Sequence, residues 1–286
     1  ALRMKSATKA TIEKAYNDGK ILRTHLMRPT WHFVTPDDIR WLLQLTAPRV
    51  NTKAGPYYRK FELDAATFKR SNKAITNALR GGKHLTRRDL KAVLNQAKVV
   101  VDDPVRLVHV LLRAELDSVI CSGPIVGKQM TYALLDERVP ATKPLKRDEA
   151  LAQLARRYFT SHGPASLQDF VWWSGLTVAD ARRGFALIDP PVRVTQSAQK
   201  SKHSAHLLPA FDEYMVAYKD REQGLLGPAV IVDGRIAGTW KRTIERTAVT
   251  IAFSPSRSLK NSERVAITKA ADRYGAFVGL PVQFVS

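Results

Sequence analysis

The chain has 286 residues, with 46 Lys+Arg against 26 Asp+Glu and a formal net charge of +20. Forty-four per cent hydrophobic and 25% charged residues exclude a disordered tail, and no apolar run approaches the ~18 residues of a membrane span. The lone cysteine, Cys121, excludes an internal disulfide and a zinc site with paired-cysteine spacing.

The first elements read from the N-terminus are a short helix after Ser6, ended by Asn17-Asp18-Gly19, and two strands between Ile21 and Val34 around a turn at Arg28-Pro29-Thr30. Thr35-Pro36-Asp37-Asp38 then restarts a helix, with a capping hydroxyl, a proline at the first helical position and acids facing the helix dipole. A second group begins with a helix from Asp64 to Leu79, stopped by Gly81-Gly82. Thr86 to Asp89 opens the next helix, and Asp103-Pro104 opens a third. The third carries Val108, Leu111, Leu112 and Leu116 on an apolar stripe and Arg106, His109 and Arg113 on its other side. Val119 to Cys121 and Thr131 to Leu135 read as a hairpin. The Gly123 to Gln129 loop between them imitates a phosphate loop, but its glycines are too close and no hydroxyl follows Lys128.

The order then recurs. A helix from Asp148 to Phe159 breaks at His162-Gly163-Pro164, Ser166 to Asp169 starts another, and Thr177 to Asp180 a third, terminated by Pro190-Pro191 before a hairpin after Val194. The tail differs: Ala229 to Val232, Arg235 to Lys241 and Ala248 to Phe253 are β-rich, and Glu263 to Phe277 returns to helix. The expected fold is α+β: three tandem winged-helix domains and a small C-terminal β-rich, barrel-like domain with a terminal helix. The boundaries fall at residues 1–50, 51–140, 141–205 and 206–286.

The charge follows these segments as +5, +7, +5 and +3. A cationic excess spread through folded segments is the footprint of a polyanionic partner, and double-stranded DNA is the partner that winged helices grip. On the first hairpin, Arg23, His25, Arg28, Thr30 and His32 are candidates for phosphate or minor-groove contact, unless the histidines bond within the sheet. Arg106, His109 and Arg113 form a candidate recognition face, as do Arg182 and Arg183 on the equivalent helix of the third group; a merely solvated face is the alternative. Trp240, Lys241 and Arg242 lie beside a DNA path or over sheet core, and Trp172-Trp173 either stack on bases or pack beneath their helix. The seven histidines have no ligand spacing, so no metal and no cofactor is expected. A cytoplasmic monomer that touches no membrane completes the expectation.

Three stretches are specific when taken together: Arg23 to Val34 (RTHLMRPTWHFV), Arg157 to Ala165 (RYFTSHGPA) and His206 to Tyr214 (HLLPAFDEY). They resemble the AlkZ-like winged-helix DNA glycosylases, and the resemblance extends through Gly238 to Arg242 and Arg273 to Gly275. It implies three winged helices, a C-terminal β-domain and a DNA-binding concavity, with hydrolytic release of N-alkylated or crosslinked purines as a monofunctional glycosylase. The family's catalytic Gln-x-Gln or Gln-x-Asp motif occurs nowhere in this chain, which begins at Ala1-Leu2 without Met, in what reads as the middle of the first domain. Asp212 is the best remaining catalytic carboxylate near a family-like site; its alternative role is a turn or cap residue. The competing functional reading is a non-catalytic winged-helix protein, a transcriptional regulator or damage sensor. A protein-interaction scaffold is the third.

Overall fold

The computed structural model describes residues 3–4, 6–189, 204–219 and 227–285. Its helices begin where the hydroxyl-x-x-Asp signals stand. Thr86 and Ser166 each accept a bond from the backbone N–H of the aspartate three residues on, while Asp89 and Asp169 accept one back from the cap residue. Thr177 caps its helix through the Asp180 N–H at 3.1 Å. These bonds satisfy N–H groups that the helix cannot satisfy internally. Thr35 departs from the pattern: its hydroxyl makes no cap bond and instead donates to Asp38. Asp38 also receives Trp41 Nε1 at 3.0 Å and Arg157 Nη1 at 2.6 Å. Burial pushes the Asp38 carboxyl up, but these three bonds outweigh it and hold the group below its usual range.

The chain divides into two units, one of Glu13–His162 with Ser166–Arg193, the other of Ala1–Ile12, Gly163–Ala165 and Val194–Ser286. In chain order, the elements up to the end of the larger unit begin with α1 (Lys9–Asn17), the hairpin β1 (Leu22–Leu26) and β2 (Thr30–Val34), and the helices α2 (Pro36–Lys60) and α3 (Ala65–Leu79). They continue with β3 (Leu85–Thr86), α4 (Arg87–Gln96), α5 (Pro104–Leu116), the hairpin β4 (Ile120–Val126) and β5 (Gln129–Leu134), and α6 (Leu135–Arg138). Three helices follow, α7 (Arg147–His162), α8 (Leu167–Ser174) and α9 (Val178–Ala186). β3, β5 and β4 form one antiparallel sheet in that order; most of the false phosphate loop is strand β4, and only Gly127-Lys128 is the turn of its hairpin. Pro190-Pro191 and the hairpin expected after Val194 lie outside the described residues.

Two helices depart from the sequence reading. α2 crosses residue 50, where a domain boundary is expected, and contains Pro48 and Pro56. Each proline removes one helical N–H, yet Leu42, Leu43, Leu45, Val50, Ala54 and Tyr58 are buried along the same helix, and burial at ~1.5–3 kcal/mol per large apolar side chain outweighs that loss. α5 is buried nearly all round, including His109 and Glu115. Cys121 on β4 is fully buried, and burial pushes its thiol up to about 12. We expect iodoacetamide to leave the native protein unmodified at pH 8 and to label Cys121 once urea unfolds it, as read by mass spectrometry. Rapid stoichiometric labelling of native protein would contradict this burial.

The smaller unit is a five-stranded sheet with order β10-β9-β8-β7-β6, made of β6 (Ala205–Leu208), β7 (Ala229–Val232), β8 (Arg235–Ile244), β9 (Val249–Pro255) and β10 (Val282–Val285). α10 (Glu213–Val216) follows β6, and α11 (Asn261–Val278) connects β9 to its parallel neighbour β10. One face packs Val230, Val232, Trp240, Ile251 and Phe253 under Ala266, Ile267, Ala270 and Ala271 of α11. The other face holds Leu208, Ala229 and Ile231 against Tyr214 and Met215. Among the described residues β6 and β10 are open edges, so the barrel-like closure expected from the sequence is corrected to an open sheet. Helices cover its faces, which removes the need to bury one half of the sheet against the other. Among the described residues, no helix is long and apolar enough to cross a membrane.

Candidate nucleic-acid interface

β1 and β2 pair antiparallel, with Arg23 opposite Phe33 and His25 opposite Trp31. Cross-strand partners share a face of the pleat, so these four side chains lie on one side of the hairpin. Leu22, Thr24 and Leu26 lie on the other side and are buried. The Arg23 guanidinium lies 4.3 Å from the Trp31 ring centroid, and the His25 imidazole 5.0 Å from it. His25 itself is buried, with Nδ1 hydrogen-bonded to the carboxylate of Glu115 on α5. Thr30 is exposed at the turn, and His32 Nδ1 donates to the Thr30 carbonyl at 3.0 Å.

The hairpin tip is held from beneath. Met27 has φ 56°, and the left-handed Gly175 that ends α8 sits against the Met27 carbonyl. Arg28, next along the tip, places its guanidinium 5.9 Å from the ring of Trp172, which is 49% exposed. Crowding by protein, and then the charges of Arg49 and Arg28, hold the Lys53 ammonium below its ordinary range. Lys53 on α2 thus feels the charges of Arg49, one turn before it, and of Arg28 at the hairpin tip.

The other expected contacts are placed differently. His109 is buried, stacks on Tyr57 at 4.8 Å and donates from Nδ1 to the Val105 carbonyl. Arg113 bonds Asp117 at 2.7 Å and lies over Phe68, while the Arg106 Nε is buried without a hydrogen-bond partner among the described residues. Arg182 is exposed on α9, and Arg183 beside it pairs with Asp148 at 2.7 Å. In the smaller unit Trp240 is a core residue whose Nε1 donates to the Leu208 carbonyl at 2.7 Å; Lys241 and Arg242 are exposed.

Asp212 is buried and receives both Arg3 Nη atoms, at 3.0 and 2.7 Å, together with the Tyr214 N–H that starts α10. Its side-chain bond raises the Arg3 pKa further. An open cavity of about 340 Å³ beside this pair is lined by His206, Leu208 and Tyr214. Burial, then the charges of Arg273 and Arg3, push the His206 imidazole down, against the opposing charge of Asp212. The Asp212 oxygens thus hold a guanidinium and a cap N–H.

A family model described as "DNA glycosylase AlkZ-like" matches residues 1–277. The chain belongs to the AlkZ-like DNA glycosylase family. It is 23% identical over 334 aligned positions to an interstrand DNA cross-link repair glycosylase of Streptomyces sahachiroi, covering 100% of this chain and 87% of that protein. The solved structure of Streptomyces sahachiroi DNA glycosylase AlkZ is similar in fold, with a TM-score of 0.74, 23% identity and coverage of 100% and 87%.

For this AlkZ-like chain the sequence shows the hairpin with Arg28 at its tip, while Lys53, which feels the charge of Arg28 only through the fold, is not among its candidates. Trp31 and Phe33, which are 47% and 68% exposed, are not among them either. The signal was present: two aromatics at i and i+2 on β2, in a hairpin whose first strand already supplies alternating leucines, Leu22 and Leu26, for its buried side. The Trp172-Trp173 pair divides between its two readings, since Trp173 packs against Tyr158 at 5.0 Å while Trp172 faces outward.

Proposed function

We propose that this protein is a duplex-DNA-binding glycosylase that hydrolyses the N-glycosidic bond of N-alkylated or crosslinked purines. The observation that carries the reading is the family match along nearly the whole chain; the cations at the hairpin tip and the +20 charge support it. Winged-helix architecture is part of the proposal. The order α3, β3, α4, α5, β4, β5 with β5 central in its sheet supports one such module, and α7, α8 and α9 supply the helices of another. The protein is taken to act as a cytoplasmic monomer.

Breaking the bond leaves positive charge on the sugar, which an amide or carboxylate must stabilise while positioning water. A cationic alkylated purine is already a good leaving group, so a strong general acid is dispensable. The chain holds no Gln-x-Gln or Gln-x-Asp, and Asp212 is engaged by Arg3. That absence favours the second reading, a DNA-binding protein without glycosylase chemistry. Incubation with a duplex containing N7-methylguanine, followed by alkaline cleavage at abasic sites, separates the two. Abasic product establishes the glycosylase, and salt-sensitive binding without product establishes the second reading.

DNA contact is assigned first to Arg28, Arg49 and Lys53, with exposed Thr30, Arg182, Lys241 and Arg242 as outlying contacts. Affinity then falls with salt at a log–log slope of about −0.9 per neutralised phosphate. Arg28→Ala and Lys53→Ala are each expected to flatten the slope by about one unit. Arg113→Ala, whose charge is already paired with Asp117, is expected to leave it unchanged. Fluorescence anisotropy titrations from 50 to 200 mM salt measure this, and unchanged slopes in the first two variants remove the hairpin tip from the interface.

A further inference from the structure

Trp31 and Phe33 remain unused by the phosphate contacts. They stand at i and i+2 on β2, on the face shared with Arg23, and both are largely exposed. A large aromatic side chain held in water forgoes the free energy of burial. Two such rings side by side on a surface therefore call for an occupant. Their backbone spacing is about 6.8 Å, twice the ~3.4 Å spacing of stacked bases along a DNA strand. Arg23 lies over the Trp31 ring, and the exposed remainder of both rings is flat apolar surface on which a planar base can stack. Arg23, 4.3 Å from the Trp31 centroid, and Arg28 at the tip put positive charge on either side. That charge suits an anionic strand carrying the base and disfavours a second copy of this cationic chain.

We propose that Trp31 and Phe33 form a stacking platform for an unpaired nucleobase, one displaced from a duplex whose backbone Arg28, Arg49 and Lys53 hold. This rests on the DNA-binding reading above and adds to it a site for the flat face of a base. The hairpin supports it mechanically: His25, opposite Trp31, is fixed to α5 through Glu115, so the platform is mounted on buried structure. Phe33 is steadied at its edge by Tyr16, with centroids 6.3 Å apart.

The test uses the full chain, one intact duplex, and the same duplex with a single bulged 2-aminopurine. Wild type is expected to bind the bulged duplex on the order of ten-fold more tightly and to quench the 2-aminopurine by stacking. Trp31→Ala and Phe33→Ala are each expected to remove most of that preference, with intact-duplex affinity and the urea midpoint unchanged. Trp31→Phe, which keeps a ring, is expected to retain most of it. Equal affinity of wild type for both duplexes, or alanine variants that keep the preference, overturns the platform and leaves the DNA-binding reading standing. Absence of duplex binding even at low salt overturns both. A change of sedimentation coefficient in Trp31→Ala shows the face pairing two copies and likewise overturns the platform.

Discussion

Replacing His25 with alanine is expected to lower the stability of the larger unit by about 3–5 kcal/mol. Glu115 is 1% exposed on α5, and among the described residues His25 is the side chain that hydrogen-bonds it. Removing the imidazole leaves a buried carboxyl group with neither water nor a partner, in the last turn of the helix around which α2, α3 and β1 pack. Removing both partners is less damaging than the sum of the single changes, because no orphaned polar group remains. The measurement is urea unfolding of His25→Ala, Glu115→Ala and the double variant, followed by tryptophan fluorescence. Trp31, Trp41, Trp172 and Trp173 all lie in the larger unit, so the signal reports mainly on it. A loss under 1 kcal/mol in His25→Ala, or strictly additive changes, would show that the pair contributes little.

Gly175→Ala is the second large effect. Gly175 has φ +68°, and an added Cβ would overlap the Met27 carbonyl oxygen and lie 3.1 Å from the carbonyl carbon. The left-handed backbone alone costs a side chain ~1–2 kcal/mol. The overlap adds to that because both partners are main chain and no rotamer change relieves it. We expect a total loss of about 3 kcal/mol, with displacement of the hairpin tip and weaker DNA binding through Arg28. Gly82→Ala is the control. Its φ is +73° but nothing lies within 4 Å of the added atom, so about 1 kcal/mol of backbone strain is all that is expected. Equal effects at the two glycines would mean that the Met27 contact is yielding.

The contrast between these glycines shows what the sequence displays and what it conceals. Both follow a helix and both have the positive φ that only glycine adopts freely. Only the fold brings the Met27 carbonyl to Gly175, from residues far away in sequence. The same division runs through the rest. The Thr86 and Ser166 caps are legible because both partners lie within three residues, and the first hairpin is legible because its strands alternate around Arg28-Pro29-Thr30. β10 is hidden, since its partner β9 lies on the far side of α11. The Arg106, His109, Arg113 pattern suggested a water-facing side of α5, whereas aromatic residues on α2 enclose His109. At the candidate interface, charge is readable but arrangement is not: Lys53 feels the charge of Arg28 only because α2 continues past residue 50.

That continuity limits how the protein can be dissected. At 1.5 Å per residue, the 25 residues of α2 make a rod of about 37 Å, and its apolar side runs unbroken from Ile39 to Tyr58. An expression boundary placed at residue 50 saws through the rod and leaves two fragments, each with a greasy wound. Truncations meant to isolate the first hairpin must therefore retain everything up to Lys60, together with whatever shelters its last turns.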